Sequence, residues 1–86
     1  MKAHVYVSLK KTVLDPQGKT ICSALQGLGF HNVEAVRQGK HFELQLGAGV
    51  GEEQARQQVE RIAKEVLTNP VIEEFSYRLE EEKTGG

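Results

Sequence analysis

The stretch LQLGAGVGEEQARQQ sets Gly47, Gly49 and Gly51 between an alternating apolar run and a helix-like run. A glycine-rich turn ahead of a helix can aim backbone N–H groups and the positive helix end at a phosphate. The rest of the fingerprint is missing. A dinucleotide motif needs glycine where Glu52 stands, and a P-loop needs Lys followed by Ser or Thr. Glu52 and Glu53 in the first turn suit the helix dipole and repel an anion. His4, His31 and His41 lack the close pairing of metal ligands and read as solvated or half-buried side chains. Asp15, the sole aspartate, precedes Pro16 and reads as a helix cap, so no serine has an evident base and orienting acid. Cys22 falls inside an apolar helical pattern and reads as a small buried hydrophobe. No catalytic constellation, metal site or cofactor site is expected in this chain.

The elements that would position these residues are legible from periodicity. Ala3, Val5, Val7 and Leu9 alternate with His4, Tyr6 and Ser8, a strand with one buried face. Asp15 and Pro16 open a helix whose apolar side is Ile21, Ala24, Leu25 and Leu28, and Gly29 ends it. From Val33 to Leu46 the apolar phase changes across RQGK, so Gly39 marks either a hairpin or a kink in one bent strand. Glu52 to Leu67 is a helix with the stripe Ala55, Val59, Ile62, Ala63, Val66 and Leu67, and with i,i+4 pairs Glu52–Arg56 and Glu60–Lys64. Asn69 and Pro70 stop it, and Val71 to Leu79 alternates as a last strand with two partly apolar faces. If Ile72 and Tyr6 mark the uncovered face, a second subunit is its expected cover. The order β-α-β-(β)-α-β predicts an α+β, ferredoxin-like fold: one antiparallel sheet with two helices on one face, a single domain over 1–81. Residues 82–86 read as a disordered polar tail.

Eleven basic and twelve acidic side chains leave no field to attract nucleic acid or an anionic membrane. The charge is nonetheless divided. Residues 1–41 carry six Lys/Arg and two Asp/Glu, a charge of +4, while residues 42–86 carry five and ten, a charge of −5. A lone cysteine, no leader and no apolar run of spanning length predict a cytoplasmic protein. So small a core predicts association with further subunits for stability.

VYVSLK, VLDPQGKTICSALQGLGF, VEAVRQGKHFEL and TNPVIEEF, in this order and spacing, resemble the PurS family from about Lys2 to Glu81. The resemblance rests chiefly on DPQG at Asp15–Gly18, VRQGK at Val36–Lys40 and NPVIE at Asn69–Glu73. It implies a small, non-catalytic subunit of phosphoribosylformylglycinamidine synthase, the ATP- and glutamine-dependent ligase of purine biosynthesis. In such complexes a glutaminase subunit releases ammonia, and a large synthetase subunit binds ATP and Mg. PurS-like dimers join the two. The same resemblance implies a segment-swapped dimer, in which the first helix and following strand pack on the partner.

The subunit-interface candidates are Asp15, Pro16, Gln17 and Gly18 at the first helix start, Arg37, Gly39 and Lys40 on an exposed turn, and Asn69, Pro70 and Ile72 before the last strand. Of these, Arg37 and Lys40 are the preferred docking charges. Two rival classes share the element order. ACT-like sensor domains bind amino acids at a glycine-containing turn after the first strand, and Lys11–Leu14 has no glycine. Ferredoxin-like acyl-phosphate hydrolases need an arginine in that loop, where only lysines stand. The terminal Gly85-Gly86 is similar to the end of β-grasp sulfur carriers, but that fold opens with a hairpin rather than a strand and a capped helix.

Overall fold

The structure, a computed structural model, describes residues 1–81, so the expected tail lies outside the described residues. Five elements follow in order: β1 (Lys2–Leu9), α1 (Pro16–Gly27), β2 (Gly39–Gln45), α2 (Glu52–Ile62), extended by a π turn over Ala63–Leu67, and β3 (Glu73–Glu80). The sheet is antiparallel with strand order β2-β1-β3. The first strand in sequence is therefore the middle strand in space.

Register follows from the alternation read in β1. Ala3 lies opposite Leu44 and Leu79, Val5 opposite Phe42 and Tyr77, and Val7 opposite Lys40 and Phe75. Directly opposed residues share a face. On this inner face Ala3, Val5 and Val7 join Val59 and Ala63 of the second helix in the core, with Phe42, Leu44, Leu46, Leu67, Phe75, Tyr77 and Leu79 packed around it. Small residues at Ala3, Ala55 and Ala63 are wholly buried and allow the helix to lie close on the sheet.

The π turn changes how the last turn of α2 is used. One extra residue in that turn rotates Val66 into solvent while Leu67 stays on the core. The predicted pair Glu52–Arg56 forms at 3.0 Å. Glu60 instead accepts the Tyr77 hydroxyl at 2.7 Å, and Arg61–Glu65 supplies the second helical pair.

Between β1 and β2 the structure resolves the ambiguity. Val33–Gln38 is irregular, there is no hairpin, and Gly39 is the first residue of β2, opposite Ser8. A Cβ on Gly39 would lie 2.7 Å from the Val7 carbonyl oxygen, so glycine stands there because the two strands approach closely. The last strand starts at Glu73 rather than Val71, because Asn69 builds a turn first. Its side-chain oxygen accepts from the Val71 N–H, and its carbonyl accepts from Ile72 and Glu73. Val71 and Ile72 thus leave the sheet, and the outer face of β3 becomes Glu74, Ser76, Arg78 and Glu80. The expected apolar second face is absent; the outer face is polar.

The first helix starts and stops as its sequence dictates. Asp15 caps it, Pro16 takes the first position, and Gly29 (φ 101°) closes it, with the Phe30 N–H donating to the Leu25 carbonyl. Yet α1 contributes no residue to the core cluster. Along the predicted apolar side Leu28 is 75% exposed, and Phe30 just beyond is 53% exposed. The radius of gyration is 16.8 Å, against about 12 Å for a compact chain of this length. A helix with an apolar face and no core to join lacks its packing partner within the chain.

Candidate functional site

The three motifs that are far apart in sequence meet at the end of β1, around the Lys10 backbone. The Lys10 N–H donates to the Ile72 carbonyl at 2.9 Å. The Lys10 carbonyl accepts from the Arg37 guanidinium at 3.1 Å, and the same group reaches the Val13 carbonyl at 3.4 Å. Asp15 uses both carboxylate oxygens: one accepts from the Gly18 N–H and the other from the Gln38 N–H, each at 3.0 Å. These two backbone hydrogen bonds, Gln38 foremost, hold the Asp15 carboxyl below its ordinary value of 3.8. Asp15 is thus both the helix cap and the tie that fixes α1 to the segment entering β2.

Gly18 completes the interlock. It is buried, and a Cβ there would overlap the Val36 carbonyl oxygen and come within 2.9 Å of the Asp15 carboxylate. DPQG and VRQGK are therefore two halves of one fitted joint. Lys40 belongs to β2 rather than to a turn, and its ammonium stands 4.0 Å from Glu73. Arg37 is exposed, and its Nη2 donates to two backbone carbonyls. Ser8, Gln17, Gln38, Lys40 and Glu73 surround a shallow cleft of about 150 Å³ at this junction. Gln17 lines it, and Pro16, Asn69, Pro70 and Ile72 are exposed.

A second constellation lies on the outer face of the sheet. His4 is only 6% exposed, contrary to the expectation of a solvated or half-buried ring. Its Nε2 lies 2.8 Å from the Glu80 carboxylate and its Nδ1 lies 2.9 Å from His41 Nε2. The Tyr6 ring lies over His41 at 4.8 Å between centroids. The bond from His4 lowers the Glu80 carboxyl from its ordinary 4.5. Sequence spacing could not find this group, because His41 stands diagonal to His4 across one strand pair and Glu80 diagonal across the other.

Other expected features fall as their neighbours dictate. The buried Cys22 thiol donates to the Val33 carbonyl at 3.6 Å. Gly49 (φ 85°) makes the turn before α2, and Glu52 and Glu53 occupy that helix's first turn. Among the described residues, no helix is long and apolar enough to cross a membrane.

Comparison with known proteins gives a consistent result over almost the whole chain. The family model PurS, described as phosphoribosylformylglycinamidine (FGAM) synthase, matches residues 2–81. The FGAM synthase subunit PurS of Methanocaldococcus jannaschii is 42% identical over 79 residues, covering 92% of this chain and 94% of its own. The crystal structure of PurS from that organism superposes with a TM-score of 0.85 at 39% identity, covering 95% of this chain and 98% of that one. A chain in the structure of PurLQS from Thermotoga maritima superposes with a TM-score of 0.72 at 30% identity, covering 90% and 93%.

The joint makes a prediction about acid stability. Because the folded Asp15 carboxyl lies below its ordinary value of 3.8, its contribution is fully present above that pH. It is lost as pH falls through the depressed folded value. Melts of wild type and Asp15→Asn should therefore differ by a constant amount above about pH 5, begin to converge at about pH 4, and meet only below the depressed folded value. Gly18→Ala should destabilise by roughly 1–3 kcal/mol through overpacking of the same joint. An unchanged denaturation midpoint for Gly18→Ala would contradict the fitted contact.

Proposed function

The chain belongs to the PurS family, and we propose that it acts as the non-catalytic small subunit of FGAM synthase, bridging a glutaminase subunit and an ATP- and Mg-using synthetase subunit. The observation that carries this reading is the match over residues 2–81, together with structural likeness to a chain of the PurLQS assembly. The enzymatic role is membership of a ligase complex in purine biosynthesis. Cys22 is buried and bonded to a backbone carbonyl rather than to a base, which suits a structural residue.

A scaffold contributes to such a reaction through proximity. Holding an ammonia-releasing site against an ammonia-using site replaces a search through water with a short enclosed path. That role needs rigid, presented surfaces rather than reactive side chains. The joint at the end of β1 is such a surface, since Asp15, Gly18 and Arg37 fix the backbone while Gln17, Lys40, Asn69, Pro70 and Ile72 are left to meet another subunit. The unfilled apolar side of α1 favours a second copy of the chain, into whose inner sheet face the helix would pack. Exchange of this segment would pivot on the irregular stretch 33–38 and on Gly39.

Three outcomes are expected. The purified chain alone turns over neither glutamine nor ATP, yet its addition to the two catalytic subunits restores glutamine-dependent amidine formation, with high ammonia partly replacing it. Turnover by the chain alone, surviving further purification, would overturn the non-catalytic assignment. Sedimentation at micromolar concentration gives at least a dimer of the 9.6 kDa chain, and Leu28→Asp shifts it toward monomer; a monomeric wild type would refute the packing argument. Lys40→Gln, which removes the charge without setting a second carboxylate beside Glu73, weakens assembly with the catalytic subunits several-fold, more at low salt, with melting temperature near wild type. Unchanged affinity would leave Lys40 only the partner of Glu73 within the chain.

A further inference from the structure

We propose that His41, His4 and Glu80 form a proton-limited clip across all three strands of the outer sheet face, closed at neutral pH and opened by acid. The chain of contacts runs from β2 through β1 to β3: His41 Nε2 to His4 Nδ1 at 2.9 Å, then His4 Nε2 to Glu80 at 2.8 Å. The two imidazole planes differ by 26° with centroids 5.1 Å apart, an edge-to-edge arrangement in which the facing nitrogens share one hydrogen.

Counting hydrogens shows why the clip is limited. With both rings neutral, His4 donates Nε2–H to the Glu80 carboxylate and accepts at Nδ1 from the Nε2–H of His41. One added proton is still accommodated: on His41 Nδ1 it leaves the central bond unchanged, and on His4 it reverses that bond, His4 donating from both nitrogens while His41 accepts at Nε2 with its own hydrogen on Nδ1. A second added proton places an N–H on each side of the 2.9 Å gap and leaves no acceptor between two like charges. The exposed His41 must then swing away, and the link from β2 to β1 is lost.

Among the described residues, the surroundings relieve that conflict only weakly. On the same face stand Lys2 and Tyr6 of β1, Glu43 of β2 and Arg78 of β3. Glu43 approaches His4 Nδ1 only to 3.9 Å, beyond hydrogen-bond distance, and is itself exposed. Lys2 and Arg78 offset the charges of Glu43 and Glu80, so the local field is nearly balanced and the hydrogen-bond geometry decides. The second helix packs on the opposite face and sends no group here. The bond from His4 lowers the Glu80 carboxyl, so Glu80 meets His4 as a carboxylate acceptor. Because β2 and β3 each pair only with β1, the clip joins side chains from both edge strands through one buried ring.

The test is a nitrogen-detected NMR titration of the imidazoles in the full chain from pH 8 to 4.5, with calorimetric melts of wild type and His41→Gln over the same range. Gln at 41 can still donate to His4 but takes up no proton. The expected result is a coupled, two-step titration of the two rings, the second step accompanied by loss of the shared hydrogen. Wild type should lose about 4–8 °C more than His41→Gln across the second protonation step, the shift that one ordinary hydrogen bond produces in a domain of this size. Two independent single-step titrations would overturn the proposal, as would parallel melting curves for the two proteins. If His41→Gln does not fold, the wild-type titration decides alone.

Discussion

The whole architecture depends on β1 having two neighbours. Among the described residues it is the only strand paired on both sides, so the strand pairing of the sheet described runs through Lys2–Leu9. Its odd residues, Ala3, Val5 and Val7, form the floor of the core, and its even residues, His4, Tyr6 and Ser8, run along the outer face. A register slip of one residue would exchange these sets, burying imidazole and phenol under α2 and exposing the valines. The cost of that exchange fixes the register, and the register in turn decides which side chains of the edge strands meet.

At its C-terminal end the same strand passes into the joint. Lys10 offers its N–H to one motif and its carbonyl to another, while Asp15 satisfies a helix N-terminus and a loop amide with one carboxylate. Such shared use of one small polar group makes the loop as fixed as an element, because each backbone donor would otherwise need water or remain unpaired. The first helix is accordingly held firmly at its start and left free of core packing along its length. That combination suits the proposed delivery of the segment to a second copy, in which the joint would set its direction and the partner would supply its apolar burial.

For a scaffold subunit, this division of labour has a physical rationale. The core of a chain this short is thin, so stability gained by association can exceed what any single interior contact provides. In the proposed role, rigidity at the docking end would come from hydrogen bonds that need no large core, and the apolar surface left over would serve assembly. The polar outer face, with its buried His4, adds a feature that assembly alone does not require.

Local pattern was sufficient for α2, β1, the capped start and glycine stop of α1, and the family resemblance, because each depends on neighbours within a few residues along the chain. Periodicity also identified the apolar side of α1, but not what it packs against, since a helical stripe encodes a face and not its partner. Asp15 was legible as a cap; its second hydrogen bond, to Gln38, was not, because the two are 23 residues apart and meet only when β2 pairs with β1. Gly39 was legible as special but for the wrong reason: the constraint is the nearby Val7 carbonyl rather than a turn. The π turn moved Val66 off a stripe that a regular helical period had placed in the core, and the Asn69 turn withdrew Ile72 from the sheet. His4, His41 and Glu80 were individually unremarkable in sequence. Strand register alone brought them together, because contacts across a sheet follow pairing offset rather than spacing along the chain.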